Sequence, residues 1–122
     1  MINDNRKRVG EIMQQINEGL SEICTEKCDN GKIYSYEIPV GILVGEIVYF
    51  YYSSSSNFAE QALIELLQNE IGEVRFWAYY HLSAYRHKLN KNIICELNCF
   101  MDNPENSAIV RQASEQYHVP LN

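Results

Sequence analysis

The longest apolar stretch of the chain, residues 38–52, constrains the fold more than any other feature. Its 15 residues fall short of the roughly 20 that a helix needs to cross a bilayer, so we expect a buried element of a globular domain. Its composition favours a strand, but it is longer than a usual strand, and Pro39 suits a first helical turn. Apolar residues also recur at helical spacing, namely Val40, Leu43, Val44, Ile47, Val48 and Tyr51. The stretch favours a buried helix and an all-α fold; the alternative is an α+β fold with a short β-hairpin within 32–52.

Five further segments have the apolar spacing or the end signals of helices. They are 3–24, 58–70, 73–88, 92–101 and 105–117. The inward stripe of the first segment contains Val9, Ile12, Ile16, Leu20 and Ile23. With 38–52, these segments predict about six helices, and a length of 122 residues fits a single domain, 1–122.

Two connections between the predicted helices carry their own signals. Segment 25–37 contains Asp-Asn-Gly at 29–31, a turn signal that predicts a loop with room for a short hairpin arm. Ser56 or Asn57 can cap the helix that follows.

A weak internal repeat relates two parts of the chain that are 36 residues apart. Glu-Val-Arg at 73–75 corresponds to Ile-Val-Arg at 109–111, and in both places a helix leads through a short polar turn into a second helix. Residues 57–119 thereby resemble the HEAT-repeat family. The matching residues are Leu63, Leu66, Leu67, Val74, Arg75, Ala78 and Leu82 in the first copy and Ile94, Leu97, Met101, Asp102, Val110 and Arg111 in the second. The second copy departs from the pattern at Ser114 and His118.

The resemblance implies antiparallel helix pairs in a small HEAT-like stack. An N-terminal pair would occupy 3–53, followed by HEAT-like pairs at 57–88 and 89–119. Stacks of this kind are rigid scaffolds that display a concave surface to a partner. The fold by itself implies no chemistry.

No group of residues in the sequence has the spacing of a catalytic or cofactor site. The 3 histidines lack motif partners, and Gly41 and Gly45 are better explained by close helix packing than by a ligand. The 4 cysteines form two pairs of equal spacing, Cys24 with Cys28 and Cys95 with Cys99. Four thiolates could bind zinc, but the helical position of the second pair favours buried free thiols. We therefore predict no catalytic residue, metal, cofactor or enzymatic activity.

The distribution of charge is more informative than the motifs. The chain has 16 acidic and 10 basic residues and a net charge of −6, which disfavours general binding to nucleic acid. Glutamates are concentrated in 9–26 and 33–74, which contain no Lys or Arg, whereas 75–95 contains only basic charges. Those basic residues are Arg75, Arg86, Lys88 and Lys91. With no signal peptide at the start, we expect a cytoplasmic protein.

Aromatic residues supply candidate contacts for a partner. The clusters at 49–52 and 76–80 hold more rings than one buried helix face can accommodate. Exposed Tyr and Trp beside carboxylates are typical of protein interfaces. The alternative is that these rings fill the gap between stacked helix layers. The predicted partner-binding residues are Glu60, Glu65, Glu70 and Glu73 for charge complementarity and Trp77, Tyr79 and Tyr80 as anchors.

In size, charge and general style the chain resembles bacterial immunity proteins, including those of contact-dependent growth inhibition. This resemblance implies a non-enzymatic protein that binds a basic, nuclease-type toxin domain and occludes its active or substrate-binding surface. One alternative is a generic HEAT-like adaptor or regulatory protein. Another is a nucleic-acid-binding helical repeat that uses the basic stretch 75–91.

Overall fold

The computed structural model describes residues 2–19, 21–54 and 57–119. These residues form six helices and one antiparallel hairpin. In chain order the elements are α1 (Ile2–Gly19), β1 (Glu22–Lys27), β2 (Ile33–Ile38), α2 (Val40–Ser54), α3 (Asn57–Leu67), α4 (Gly72–Ala84), α5 (Lys91–Phe100) and α6 (Pro104–Tyr117). The predicted mainly helical fold is confirmed, together with the short hairpin of the α+β alternative, although the hairpin lies at 22–38 and not within 32–52.

The apolar stretch 38–52 is helical, as its spacing predicted. It supplies most of α2, and its whole predicted stripe is buried. Burying one apolar face of a helix outweighs the strand preference of its individual residues. None of the helices in the described residues combines the length and apolarity that crossing a bilayer requires.

The helices pack in two layers that follow the order of the chain. α1 contacts α3, and α3 contacts α5; α2 contacts α4, and α4 contacts α6. The first helix of each pair therefore stacks on the first helix of the next pair, and the second helix on the second. This is the nearest-neighbour arrangement of helical repeats. The buried apolar residues of all six helices form one continuous core.

Helix 3–24 was predicted too long. α1 ends at Gly19, and Ile23 lies on β1 with its side chain exposed and not in the inward stripe. The backbone of 22–27 instead pairs with 33–38, so the predicted loop 25–37 is mostly strand and forms the short hairpin arm for which it had room. Leu20 lies outside the described residues.

The hairpin turn follows from the sequence signal at its tip. Gly31 has a φ of +84°, a conformation that glycine adopts without steric cost. The Cys28 N–H donates to the Lys32 carbonyl at 2.7 Å, which closes the turn. The strands then pair in register from Lys27 with Ile33 to Glu22 with Ile38.

Several predicted helix ends shift by a few residues. The segment 73–88 is split, because α4 ends at Ala84 and a short 3-10 helix, Arg86–Lys88, follows. α3 ends at Leu67 instead of 70. Asn57 is the first residue of α3, while the other suggested cap, Ser56, lies outside the described residues.

Candidate functional site

An apolar groove opens where the first turn of α2, the outer face of α4 and the end of α6 meet. Its volume is about 360 Å³. The lining residues are Pro39, Val40, Gly41, Ile42, Glu73, Trp77, His81 and Tyr117. Ile42 lies at the groove with 62% of its surface exposed, and Tyr49, further along the same helix, is exposed to a similar extent.

Two glycines of α2 determine how closely α4 approaches. A Cβ atom added at Gly41 would lie 2.9 Å from Cε2 of Trp77, and one added at Gly45 would lie 3.3 Å from Nε2 of His81. A side chain at Gly41 would overlap the Trp77 ring, and one at Gly45 would require the His81 ring to shift, so the two glycines permit the helices to pack closely. The packing role predicted for this glycine pair is confirmed.

His81 forms one wall of the groove in its neutral form. Its Nε2 lies 2.9 Å from the carbonyl oxygen of Gly41, and since a carbonyl only accepts, Nε2 donates. Burial lowers the pKa of His81, against a smaller opposing effect of this hydrogen bond. The ring therefore contributes an apolar face and no charge at neutral pH.

Glu73 is the acidic group of the groove, and it already has a partner. The hydroxyl of Tyr117 donates to its carboxylate, which raises the pKa of Tyr117. The Tyr117 ring lies 5.0 Å from that of Trp77 between centroids. The groove is thus an aromatic wall with one tethered carboxylate at its edge.

The predicted partner-binding residues do not form one surface. Glu73 and Trp77 line the groove, and Tyr80 packs edge-on against Trp77 with ring centroids 5.8 Å apart. Tyr79 points elsewhere and stacks on Phe100 of α5 at 4.7 Å.

The remaining three predicted glutamates lie apart from the groove lining. Glu60 of α3 accepts a hydrogen bond from the Asn90 side chain. Glu65 is exposed on α3, and Glu70 is exposed in the turn before α4. Of the seven predicted residues, the structure therefore brings together Glu73, Trp77 and Tyr80.

Sequence reasoning missed Ile42, His81 and Tyr117 as groove residues. Ile42 carried a usable signal, because it falls outside the helical stripe of the apolar stretch and so could not be buried with it. Tyr117 carried none, since only tertiary packing brings the end of α6 to α4.

Arg75 was assigned to a basic surface, and the structure contradicts this. Its side chain is buried, with 9% of the residue exposed. Nε donates to Oδ1 of Asn106 at 2.9 Å, Nη1 to the carbonyl of Asn69 at 2.6 Å, and Nη2 to Glu105 at 2.8 Å. Arg75 therefore joins the turn before α4 to the start of α6, and the basic stretch 75–91 loses it as a contact for nucleic acid.

All four cysteines are free thiols. Cys95 and Cys99 are exposed on α5, so the expectation that they point into the core is wrong. Cys24 and Cys28 belong to the hairpin region. Among the described residues, no three His, Cys, Asp or Glu side chains are grouped so that they could hold a metal ion.

One guanidinium anchors the base of the hairpin. Arg8 of α1 donates two hydrogen bonds to Glu22 of β1, at 2.9 and 3.0 Å, and two to Glu46 of α2, at 2.9 and 3.1 Å. The hydrogen bonds from Arg8 lower the pKa of Glu22. Paired bidentate contacts fix orientation as well as distance, so the hairpin has a defined position relative to α1 and α2.

Comparison with protein families, with curated proteins and with solved structures finds no match to this chain.

Proposed function

We propose that this protein is a non-enzymatic protein-binding module whose groove receives an apolar side chain of its partner. The observation that carries the proposal is an open apolar groove with Trp77 in its wall and the exposed Ile42 beside it. Aromatic pockets of this kind are typical positions for interface anchors. Glu73 and His81, which also line the groove, already have hydrogen-bond partners within the protein. Glu73 accepts from Tyr117, and His81 donates to a backbone carbonyl.

The partner that fits best is a basic protein. The net charge of −6 would speed the encounter with a positively charged surface, and burial of the anchor would then slow dissociation. We therefore propose an immunity protein that neutralises a basic, nuclease-type toxin domain by covering its active or substrate-binding surface. The layered helix pairs support a HEAT-like scaffold for this task.

Two exposed apolar residues of α2 provide a matched test. Ile42 and Tyr49 are 62% and 66% exposed, but only Ile42 lines the groove. An immunity function predicts that the adjacent gene encodes a basic toxin, so the product of that gene would be expressed with wild-type protein, Ile42→Glu or Tyr49→Glu. We expect wild type and Tyr49→Glu to restore growth and to bind equally well, whereas Ile42→Glu weakens binding by about 30-fold, as loss of an anchor does.

Each outcome of this test separates the candidate functions. If the neighbouring protein is not toxic but binds through Ile42, the chain is an adaptor and not an immunity protein. If both variants bind as wild type does, the groove is not the contact surface, and the proposal fails.

A further inference from the structure

The hairpin carries an open strand edge. The Cys28–Lys32 hydrogen bond fixes which cross-strand pairs are hydrogen-bonded, because such pairs alternate along an antiparallel ladder. By this alternation the N–H and C=O groups of three β2 residues point away from β1. They are Ile33, Ser35 and Glu37. In the described part of the chain, no other strand pairs with β2.

The two edges of the hairpin differ. β1 packs beside α1, and its base is held there by Arg8. Among the described residues, no helix contacts β2 to the same extent, and the side chains of Ile33 and Ile23 on one face of the hairpin are largely exposed. Natural proteins usually protect such an edge, because it is a template for pairing with another chain.

The open edge leads directly into the groove. β2 ends at Ile38, and the next four residues of the chain, 39–42, form one wall of the groove. Arg8 bridges β1 and α2, so the edge and the groove keep a fixed relation. The six residues of β2 span roughly 20 Å at about 3.3 Å per residue, and the groove wall follows directly at their end.

Charge along this track selects the partner. Glu37 lies on the outward edge, exposed and without an ion pair to any residue that the structure describes, and Glu73 lies at the groove. Neither β1, β2 nor the groove wall 39–42 offers a basic side chain except Lys27 at the far end of the hairpin. An approaching strand would therefore meet negative charge near the groove.

We propose that β2 and the groove together bind one extended segment of the partner, which adds a third strand to the hairpin by backbone pairing with Ile33, Ser35 and Glu37. The segment carries a lysine or arginine opposite Glu37 and places its next apolar side chain against Trp77. Strand addition of this kind derives affinity from main-chain hydrogen bonds and specificity from side-chain pockets. The inference rests on the proposed protein-binding function and specifies how that site works.

A second copy of the chain is the less favourable occupant. Self-pairing along one six-residue edge buries far less than the roughly 800 Å² per partner of a standard interface. It would also leave the groove unused.

The first experiment titrates the protein with a blocked octapeptide of alternating lysine and valine, followed by amide NMR. We expect shifts and slowed exchange at Ile33, Ser35 and Glu37, and a change in emission of Trp77, the only tryptophan. A glutamate–valine peptide of equal length is the charge control and should not bind. Shifts confined to the groove, or no shift at millimolar peptide, would overturn strand addition.

The second experiment uses two prolines on cross-strand neighbours. Thr25 and Ser35 face each other, and their hydroxyls are 3.2 Å apart, so Thr25→Pro and Ser35→Pro lose the same side-chain contact. Each removes an outward N–H and leaves the ladder between the strands intact, which proline tolerates at an edge. We expect Ser35→Pro to weaken binding of the peptide by at least about tenfold and Thr25→Pro by less than about threefold. Circular dichroism before the titration establishes that both variants are folded.

These outcomes distinguish the inference from the proposed function. If Ile42→Glu weakens partner binding while both prolines bind as wild type does, the groove binds a partner without strand addition. If sedimentation finds a wild-type dimer that Ser35→Pro dissociates, a second copy occupies the edge, and the inference is wrong.

Discussion

Replacing the buried Arg75 with methionine tests the link between the turn before α4 and the start of α6. Methionine fills much of the same volume but donates no hydrogen bond. The buried Oδ1 of Asn106 would lose its donor, and a buried unsatisfied acceptor costs about 1–3 kcal/mol. The part-buried carbonyl of Asn69 would also lose its donor, which costs about 1 kcal/mol. Glu105 is 71% exposed, so its ion pair adds only about 0–1 kcal/mol. We expect Arg75→Met to lower the free energy of unfolding by about 2–4 kcal/mol.

Urea denaturation followed by circular dichroism at 222 nm measures this loss. The matched control is Glu105→Gln, which keeps an acceptor beside Arg75 and should cost less than about 0.5 kcal/mol. In a double-mutant cycle, Arg75→Met combined with Asn106→Leu should cost about 1–2 kcal/mol less than the sum of the single changes, because both buried partners are then apolar. Equal losses for Arg75→Met and Glu105→Gln would refute the structural role of Arg75.

Two further predictions concern the groove walls. Gly41→Ala pushes a methyl group into the ring of Trp77. It should lower the free energy of unfolding by about 1–3 kcal/mol and shift the emission maximum of the tryptophan. In the control, Gly10→Ala, nothing lies within 4 Å of the added Cβ, and the free energy of unfolding should rise by about 0.5–1 kcal/mol. Urea titrations of both variants measure whether the free energy of unfolding falls or rises. A rise in Gly41→Ala would contradict the close packing. The pKa of His81 is lowered in the folded protein, so below about pH 6.5 the unfolded chain binds a proton that the folded one does not. The free energy of unfolding should therefore be highest above that pH and should fall as the pH falls toward the lowered pKa of His81 in the folded protein. His81→Gln should flatten the dependence of the free energy of unfolding on pH between about pH 7 and 5. An unchanged slope in that variant would show that another group causes the loss.

Local periodicity predicted those parts of the fold that burial of one helix face determines. All six stripe residues predicted within 38–52 are buried in α2, because a helix that buries an apolar face must repeat it every three or four residues. The paired glycines Gly41 and Gly45 were interpreted correctly for a similar reason, since their spacing places them on one helix face.

Features that depend on distant parts of the chain were not predictable from local pattern. Ile23 fits a helical stripe as well as it fits a strand, and its strand pairing with Glu37 involves a segment beyond the turn. Local pattern predicts a surface charge at Arg75 because two of its three acceptors, Asn106 and Glu105, lie about 30 residues further along the chain. Likewise, the groove needs Ile42 and Tyr117, which only the contacts of α2 and α6 with α4 bring together.

The hairpin occupies a connection where the later helix pairs have only short turns. Between α1 and α2 the chain inserts two strands, whereas residues 68–71 and 101–103 suffice to join α3 to α4 and α5 to α6. Insertions at such connections leave the stacked core of a repeat scaffold unchanged. The length and sequence of the hairpin can therefore vary while the six-helix body stays constant, so that change at this connection does not cost the chain its ability to fold.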